Sequence, residues 1–275
     1  MPGGADTARP ARLYAYRVHS KNRSSLTFKV GYTLRHPDKI AGYAKRRARD
    51  AWLQMRSEDH VSYYRAVMAS DAARSRNGAV GSHTHDSWLQ IGQLQFDYAV
   101  SHGLKPEMRM LEIGCGNLRA GRLFIEYLEP GHYYGLDISP DILLAAEETV
   151  AEFDLGAKLP HLTLVKDLKL SFLPDATFDF VHAHSVFSHS PIEVIDECLA
   201  HVGRVMTPTG FFDFTFDRTG GDEHHVLRED FYYRTETLVA LAAKHGLKAT
   251  YMTDWEDTGH PQSKIRVTVP PDRSR

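Results

Sequence analysis

From about residue 108 onward the chain alternates between two kinds of segment. "RMLEIG", "HYYGLDI", "LTLVKDL", "FDFVHAHS" and "GFFDFTF" read as strands. "LRAGRLFIEYL", "PDILLAAEETVAEF", "PIEVIDECLAHVGRVM" and "RTETLVALAAKHG", placed between or after them, read as helices. Such alternation predicts a mostly parallel sheet with helices on both faces. The closing pair, "LKATYMTD" and "SKIRVTV", has no helix between its members, so one antiparallel strand is expected to enter the sheet at the end. In sheets of this kind ligands sit outside the carboxyl ends of the strands, so the loops after the strands are where chemistry is expected.

The first third reads differently. Residues 1–12 are small, polar and proline-bearing, and order is not expected there. "LYAYRVHS" and "SLTFKVGYTL" have weak strand character, and helices are expected near 38–56, 58–74 and 85–103. The polar, glycine-containing "RSRNGAVGSHTH" reads as a loop. The expected division is a basic, mainly helical extension over 1–84 and an α/β domain over 85–275.

Residues 1–56 hold thirteen Lys and Arg against three acids, in a chain of net charge -2. Ile40, Tyr43, Ala44, Ala48, Ala51, Trp52 and Met55 fall at helical spacing, so an amphipathic helix with "KRRAR" pointing to solvent is expected. A basic arm gripping nucleic acid is the alternative. Two cysteines, Cys115 and Cys198, make no disulfide framework, and a cytoplasmic setting is expected. No apolar run approaches the roughly 20 residues of a membrane span, and the N-terminus lacks a secretion signal's apolar core.

The first strand runs into "GCGNLRAG". Gly114 and Gly116 permit a tight turn and a close backbone approach to a ligand. The third glycine of the dinucleotide fingerprint is replaced by Arg119, whose long side chain sits where a helix must pack closely on its strand. Asp137 ends the second strand about twenty residues on, where an acid accepts the hydroxyls of a ribose. Asp167 ends the third strand, beside the place where an adenine would lie. Glu112 precedes the first glycine; a carboxylate there repels a diphosphate and suits an ammonium group. Ribose, adenine and ammonium without diphosphate describe S-adenosylmethionine.

These stretches resemble the class I S-adenosylmethionine-dependent methyltransferases over roughly two thirds of the chain. "LEIGCGNLRAG" resembles their first motif, "GLDIS" the acidic second and "LVKD" the third, while "FDFVHAHSVFSH" resembles the strand and loop beside the reacting methyl. The resemblance implies a Rossmann-like seven-stranded sheet with the last strand antiparallel. It implies cofactor contacts from Glu112, Gly114, Gly116, Asp137 and Asp167, with Ile138 and Leu168 sandwiching the adenine. Cys115, Asn117 and Arg119 in the turn, and His184 and Ser185 at the fourth strand's end, are counted with them.

Methyl transfer needs an acceptor held in line with the sulfonium, and often a base to take its proton. Histidine suits that role because it titrates near neutrality. The candidates are His189, then His225 or His224 in the polar loop "DRTGGDEHHVLRED", then His260. His182 and His184 are read as facing opposite sides of their strand, so that one at most reaches the cofactor. Asp217, Asp222 and Glu223, or "HTHD" at 83–86, offer hard ligands without diagnostic spacing, and no required metal is expected. Aromatic residues of the N-terminal helices are expected to roof the acceptor side. The expected acceptor is a hydroxyl of a small polar metabolite such as a saccharide, with neither nucleic acid nor membrane as partner; a homodimer stays open. An RNA-modifying enzyme and a non-catalytic cofactor-binding module are the rivals.

Overall fold

The computed structural model describes residues 37–82 and 84–271. The two weak strands expected near the N-terminus lie outside the described residues. Four helices come first: α1 (Pro37–Arg56), α2 (His60–Ala72), the single turn α3 (Arg76–Ala79) and α4 (His85–Ser101). Asp59 caps α2 by accepting from the Ser62 amide at 2.7 Å, and Thr84 forms a capping box with Ser87 at the start of α4. The stretch read as a loop therefore contains α3, capped by Ser75.

The alternating part follows as β1 (Met110–Ile113), α5 (Gly121–Tyr127), β2 (Tyr133–Asp137), α6 (Pro140–Glu152), β3 (His161–Leu164), β4 (Phe178–Ala183), α7 (Ile192–Val205) and β5 (Met206–Arg218). A hairpin, β6 (His224–Val226) and β7 (Asp230–Tyr233), precedes α8 (Thr235–Lys244), β8 (Lys248–Tyr251) and β9 (Ser263–Thr268). The strands β3, β2, β1, β4 and β5 lie side by side in that order, all parallel. β9 pairs antiparallel with β5, and β8 antiparallel with β9. This is the expected seven-stranded arrangement with its last strand reversed.

The sheet has nine strands because the "DRTGGDEHHVLRED" stretch is a hairpin and not the long loop expected of it. β7 joins the end of β5 through Asp217 opposite Tyr232 and Arg218 opposite Tyr233. Its polar, turn-rich composition hid the strands, since pairing there is completed by the end of β5 and not by an apolar alternation.

Leu111, Ile113, Val181, Ala183, Phe212, Phe214, Ile265 and Val267 form the core on one face with α7 and α8. Met110, Tyr133, Phe180 and Phe211 pack on the other with α4, α5 and α6. Across that second face the strand register aligns Glu112 with His182, His182 with Asp213, and Asp213 with Arg266. Arg266 meets the buried Asp213 carboxylate with two hydrogen bonds of 2.7 and 2.8 Å. His182 and His184, two residues apart on one extended segment, share this face: their rings stack with centroids 6.1 Å apart. The opposite-side reading is thereby corrected, because a strand repeats every second residue.

α1 also departs from expectation. Ala48, Ala51, Trp52 and Met55 face solvent, Met55 being 79% exposed, while Leu53 packs inward against Tyr63 and Val67 of α2. Arg46 and Arg49, expected to point outward, turn to the β6–β7 hairpin and pair with Glu229. The side chains of Ile40, Tyr43 and Ala44 lie outside those described; over the rest of the helix, two guanidinium groups pairing with a buried carboxylate decide which side faces inward. No described helix is long and apolar enough to cross a membrane.

Candidate active site

The carboxyl ends of β1 to β4 open on one cavity of about 760 Å³, within the range of small-molecule sites. Helices α2 and α4 close it from above through His60, Val61, Tyr64 and Met68, and through Gln90, Ile91, Leu94 and Gln95. Tyr63, Trp88 and Tyr98, counted among the roofing aromatics, are instead buried in packing. The "LYAYR" stretch lies outside the described residues.

The glycine turn is hung on β2. The amides of Gly114 and Cys115 both donate to the Leu136 carbonyl, at 2.7 and 2.9 Å, and the Gly116 amide donates to Asp137 Oδ2 at 3.0 Å. Gly114 and Gly116 have φ of 70° and 56°, in the left-handed region that suits glycine. A Cβ on Gly114 would lie 2.4 Å from Val186 Cγ2, so the loop after β4 rests directly on the turn. Leu118 also adopts positive φ, 61°.

Three carboxylates line the cavity. Asp137 accepts from the Ser139 and Gly116 amides, one on each oxygen, and keeps a lone pair on each. Burial raises its pKa against those amide bonds. Glu112 is buried and accepts from the Tyr133 hydroxyl; burial pushes its pKa up to about 8, with the hydrogen bond and Arg119 opposing. Asp167 is half-buried in the turn beyond β3, which ends earlier, at Leu164. Ile138 and Leu168 stand beside these acids on the cavity wall. Arg65 of α2 donates to the Ile138 carbonyl at 2.7 Å, tying the roof to this end.

Cys115, Asn117, Arg119, His184 and Ser185 line the cavity too. Asn117 is engaged with Trp88 and Asn77, both at 2.9 Å. Arg119 does not bond to Glu112. Its guanidinium donates to the Val80 carbonyl and the Ser82 hydroxyl, at 2.5 and 3.2 Å, and burial pushes its pKa down to about 10. Both ring nitrogens of His184 are buried without a partner, and burial holds the ring neutral.

His189 and His260 line the cavity, whereas His224 and His225 do not. His224 stacks on Tyr232 with centroids 4.7 Å apart. His225 faces a separate small depression beside Arg47, Asp50 and Gln54 of α1.

His189 points Nδ1 at the Glu229 carbonyl, 2.6 Å away, with the Asp230 carboxylate at 3.5 Å. A carbonyl only accepts, so Nδ1 carries the proton and Nε2 is left with its lone pair. Burial alone would lower the pKa, but Asp230 and the Glu229 carbonyl outweigh it, and the pKa is raised. His260 has the opposite form. Its Nδ1 accepts from the Gln262 amide at 3.2 Å, so Nε2 carries the proton. Burial and the charge of Arg119 push its pKa down to about 4. His260 is therefore neutral with its proton on Nε2, the form of a hydrogen-bond donor.

Sequence reasoning missed Asp230, Glu229 and His60, whereas Tyr64, one of the aromatics expected in the roof, does line the cavity. Tyr64 stacks on His189 at 5.5 Å, and His60 Nε2 lies 2.8 Å from the His189 carbonyl. The "RED" at 228–230 was visible as charge, but not its pairing. Among the described residues no three His, Cys, Asp or Glu side chains converge as a metal site. Glu223 accepts from the Arg234 amide at 2.9 Å, and His83 of "HTHD" lies outside the described residues.

Residues 111–212 match the family model described as a methyltransferase domain. A probable methyltransferase of Aspergillus luteorubrus is 26% identical over 151 residues, 54% of this chain and 50% of that protein. An uncharacterized protein of Haemophilus influenzae is 24% identical over 162 residues, 58% of this chain and 63% of that protein. A highly reducing polyketide synthase of Gibberella moniliformis is 28% identical over 120 residues, 42% of this chain but 4% of its own length. The chain thus spans less than two thirds of each of these relatives. Among solved structures, the magnesium protoporphyrin IX methyltransferase of Synechocystis PCC 6803 with bound S-adenosylhomocysteine superposes with a TM-score of 0.57 at 14% identity. That match covers 77% of this chain and 100% of the other. The DhpI–S-adenosylhomocysteine complex gives 0.52 at 14% identity, over 77% and 96%. Residues 111–212 thus match a methyltransferase domain, and the fold around them is that of class I, S-adenosylmethionine-dependent methyltransferases.

Proposed function

We propose that the domain moves the methyl group of S-adenosylmethionine to a hydroxyl of a small polar metabolite, with His189 as the base. The residues fit the cofactor on chemical grounds. Asp137 offers two free lone pairs to a ribose diol, and Ile138 and Leu168 offer apolar walls to an adenine. Glu112 would hold the ammonium and Arg119 the carboxylate of the methionine end. Three acids around one cavity disfavour a diphosphate. When bound, the cofactor supplies an activated methyl carbon; everything else is the protein's.

The observation that carries the reading is the Asp230–His189 pair, with Nδ1 protonated and Nε2 free. Nε2 is suited to take the proton of an acceptor hydroxyl. The imidazolium so formed is stabilised by Asp230. The Nε2–H of His260 is suited to hold a second acceptor oxygen. One lone pair and one donor complement a hydroxylated molecule, which both gives and takes hydrogen bonds. The RNA reading is weakened because Arg46 and Arg49, part of the basic arm, are occupied by Glu229.

The test is release of S-adenosylhomocysteine against a panel of polyols, sugars, phenols, amines and short RNAs. Turnover with a hydroxylated metabolite supports the reading. Turnover confined to RNA, with steep salt dependence, would replace it.

A further inference from the structure

We propose that Arg46 and Arg49 of α1 are positioning residues for His189, acting through Glu229. This rests on the reading of His189 as the base. Arg46 donates to Glu229 Oε2 at 2.8 Å and Arg49 to Oε1 at 2.7 Å, so both carboxylate oxygens are held by α1. The carbonyl of that same Glu229 takes the Nδ1 proton of His189. The next residue, Asp230, faces Nδ1 on one side and Arg46 on the other, at 3.5 and 3.6 Å. α1 therefore fixes the short stretch of backbone that decides which nitrogen of His189 is protonated.

The arrangement has features that stability alone does not require. Glu229 is 7% exposed and has both oxygens paired, although it sits in the hairpin turn between exposed Arg228 and half-buried Asp230. Arg49 is itself braced by Asp71 of α2 at 2.7 Å. α2 reaches His189 from the other side, since His60 Nε2 meets the His189 carbonyl and Tyr64 stacks on the ring. The N-terminal helices thus hold both the ring and its partner. The charged and titratable groups around the ring are Glu229 and Asp230 of the hairpin, Asp217 of β5, and His60 and Tyr64 of α2. Arg46 acts one step removed, through Asp230.

The mechanism of positioning is electrostatic and steric. Without the two guanidinium groups the Glu229 carboxylate is buried and unpaired, and the backbone at 229–230 must move to hydrate it. The carbonyl then leaves Nδ1, and the neutral ring is free to carry its proton on Nε2. In that form it presents a proton, not a lone pair, to the acceptor.

The experiment is imidazole nitrogen-15 NMR on the full chain, with no acceptor present, above the titration of His189. The wild type is expected to show His189 as the Nδ1–H tautomer. The Arg46→Ala, Arg49→Ala double variant is expected to shift it toward Nε2–H, and the double Lys variant to retain the wild-type form. A folded double variant that binds S-adenosylhomocysteine normally and keeps the wild-type tautomer would overturn the proposal. If the double variant does not fold, Arg49→Ala carries the test, since it leaves Glu229 Oε1 buried and unpaired: a shift in the same direction supports positioning, and an unchanged tautomer refutes it. The base reading fails separately, if His189→Gln retains full turnover. A tautomer shift seen alongside that result would leave the positioning standing.

Discussion

His189 and His260 line one cavity in opposite protonation forms, His189 with its proton on Nδ1 and His260 with its proton on Nε2. The first is set by a backbone carbonyl and the second by a backbone amide. Their roles should separate in kinetics. His189→Gln is expected to lower kcat by about 10²-fold or more, the usual worth of a general base, with cofactor affinity little changed. His260→Phe is expected to act mainly on acceptor KM. Steady-state rates of S-adenosylhomocysteine release distinguish the two, and equal effects on kcat would contradict the assignment.

The acid limb of the pH–rate profile should report His189. Its pKa is raised, because Asp230 and the Glu229 carbonyl outweigh burial. A base must be neutral to act, so activity rises with pH through that value. Asp230→Asn removes charge that favours the imidazolium and lowers the pKa. The limb should therefore move to lower pH, because an opposite charge so near favours the protonated ring. The maximal rate should fall too, because the imidazolium formed in the reaction loses its stabilisation. A limb that stays in place would detach Asp230 from His189.

Glu112 should make cofactor binding depend on pH. Its pKa is pushed up to about 8 by burial, so at pH 7 most molecules hold it protonated. Pairing with an ammonium needs the carboxylate, so binding should release a proton and weaken as pH falls below about 8. Stability should run the other way. A folded pKa above the ordinary 4.5 gives a contribution present in full below 4.5 and lost as pH rises through about 8. Glu112→Gln should flatten both dependences and melt higher than wild type at pH 9. Calorimetry in buffers of different ionisation enthalpy checks the proton, and thermal melts check the stability.

Gly114→Ala tests the contact between the glycine turn and the loop after β4. The added Cβ would meet Val186 Cγ2 at 2.4 Å, at a residue with φ of 70°. Together these should cost about 1–3 kcal/mol of stability and weaken cofactor binding. Adding Val186→Ala should recover the steric part and leave the backbone strain. Urea denaturation of the two variants measures both.

What the sequence disclosed followed from periodicity and from residue types with one use. The alternation of strand-like and helix-like segments placed β1 to β5 and their helices. Gly114 and Gly116 marked a turn because few other residues adopt its angles. Asp137, Asp167 and Glu112 were legible because strand ends in an alternating sheet share one edge. The partners of His189 were not legible in that way. Glu229 and Asp230 lie 40 and 41 residues along the chain, in a hairpin whose polar residues conceal its pairing. Arg46 is 183 residues from Glu229. Its inward turn is decided by that carboxylate, which no local pattern in α1 contains.

The central claim is that the cavity holds a sulfonium nucleoside through Asp137, and isothermal calorimetry with S-adenosylhomocysteine tests it most directly. The account predicts saturable one-to-one binding by the wild type, weakened at least about tenfold in a folded Asp137→Ala variant through loss of charged hydrogen bonds. Absence of binding to the wild type, or equal affinity in the variant, would contradict it.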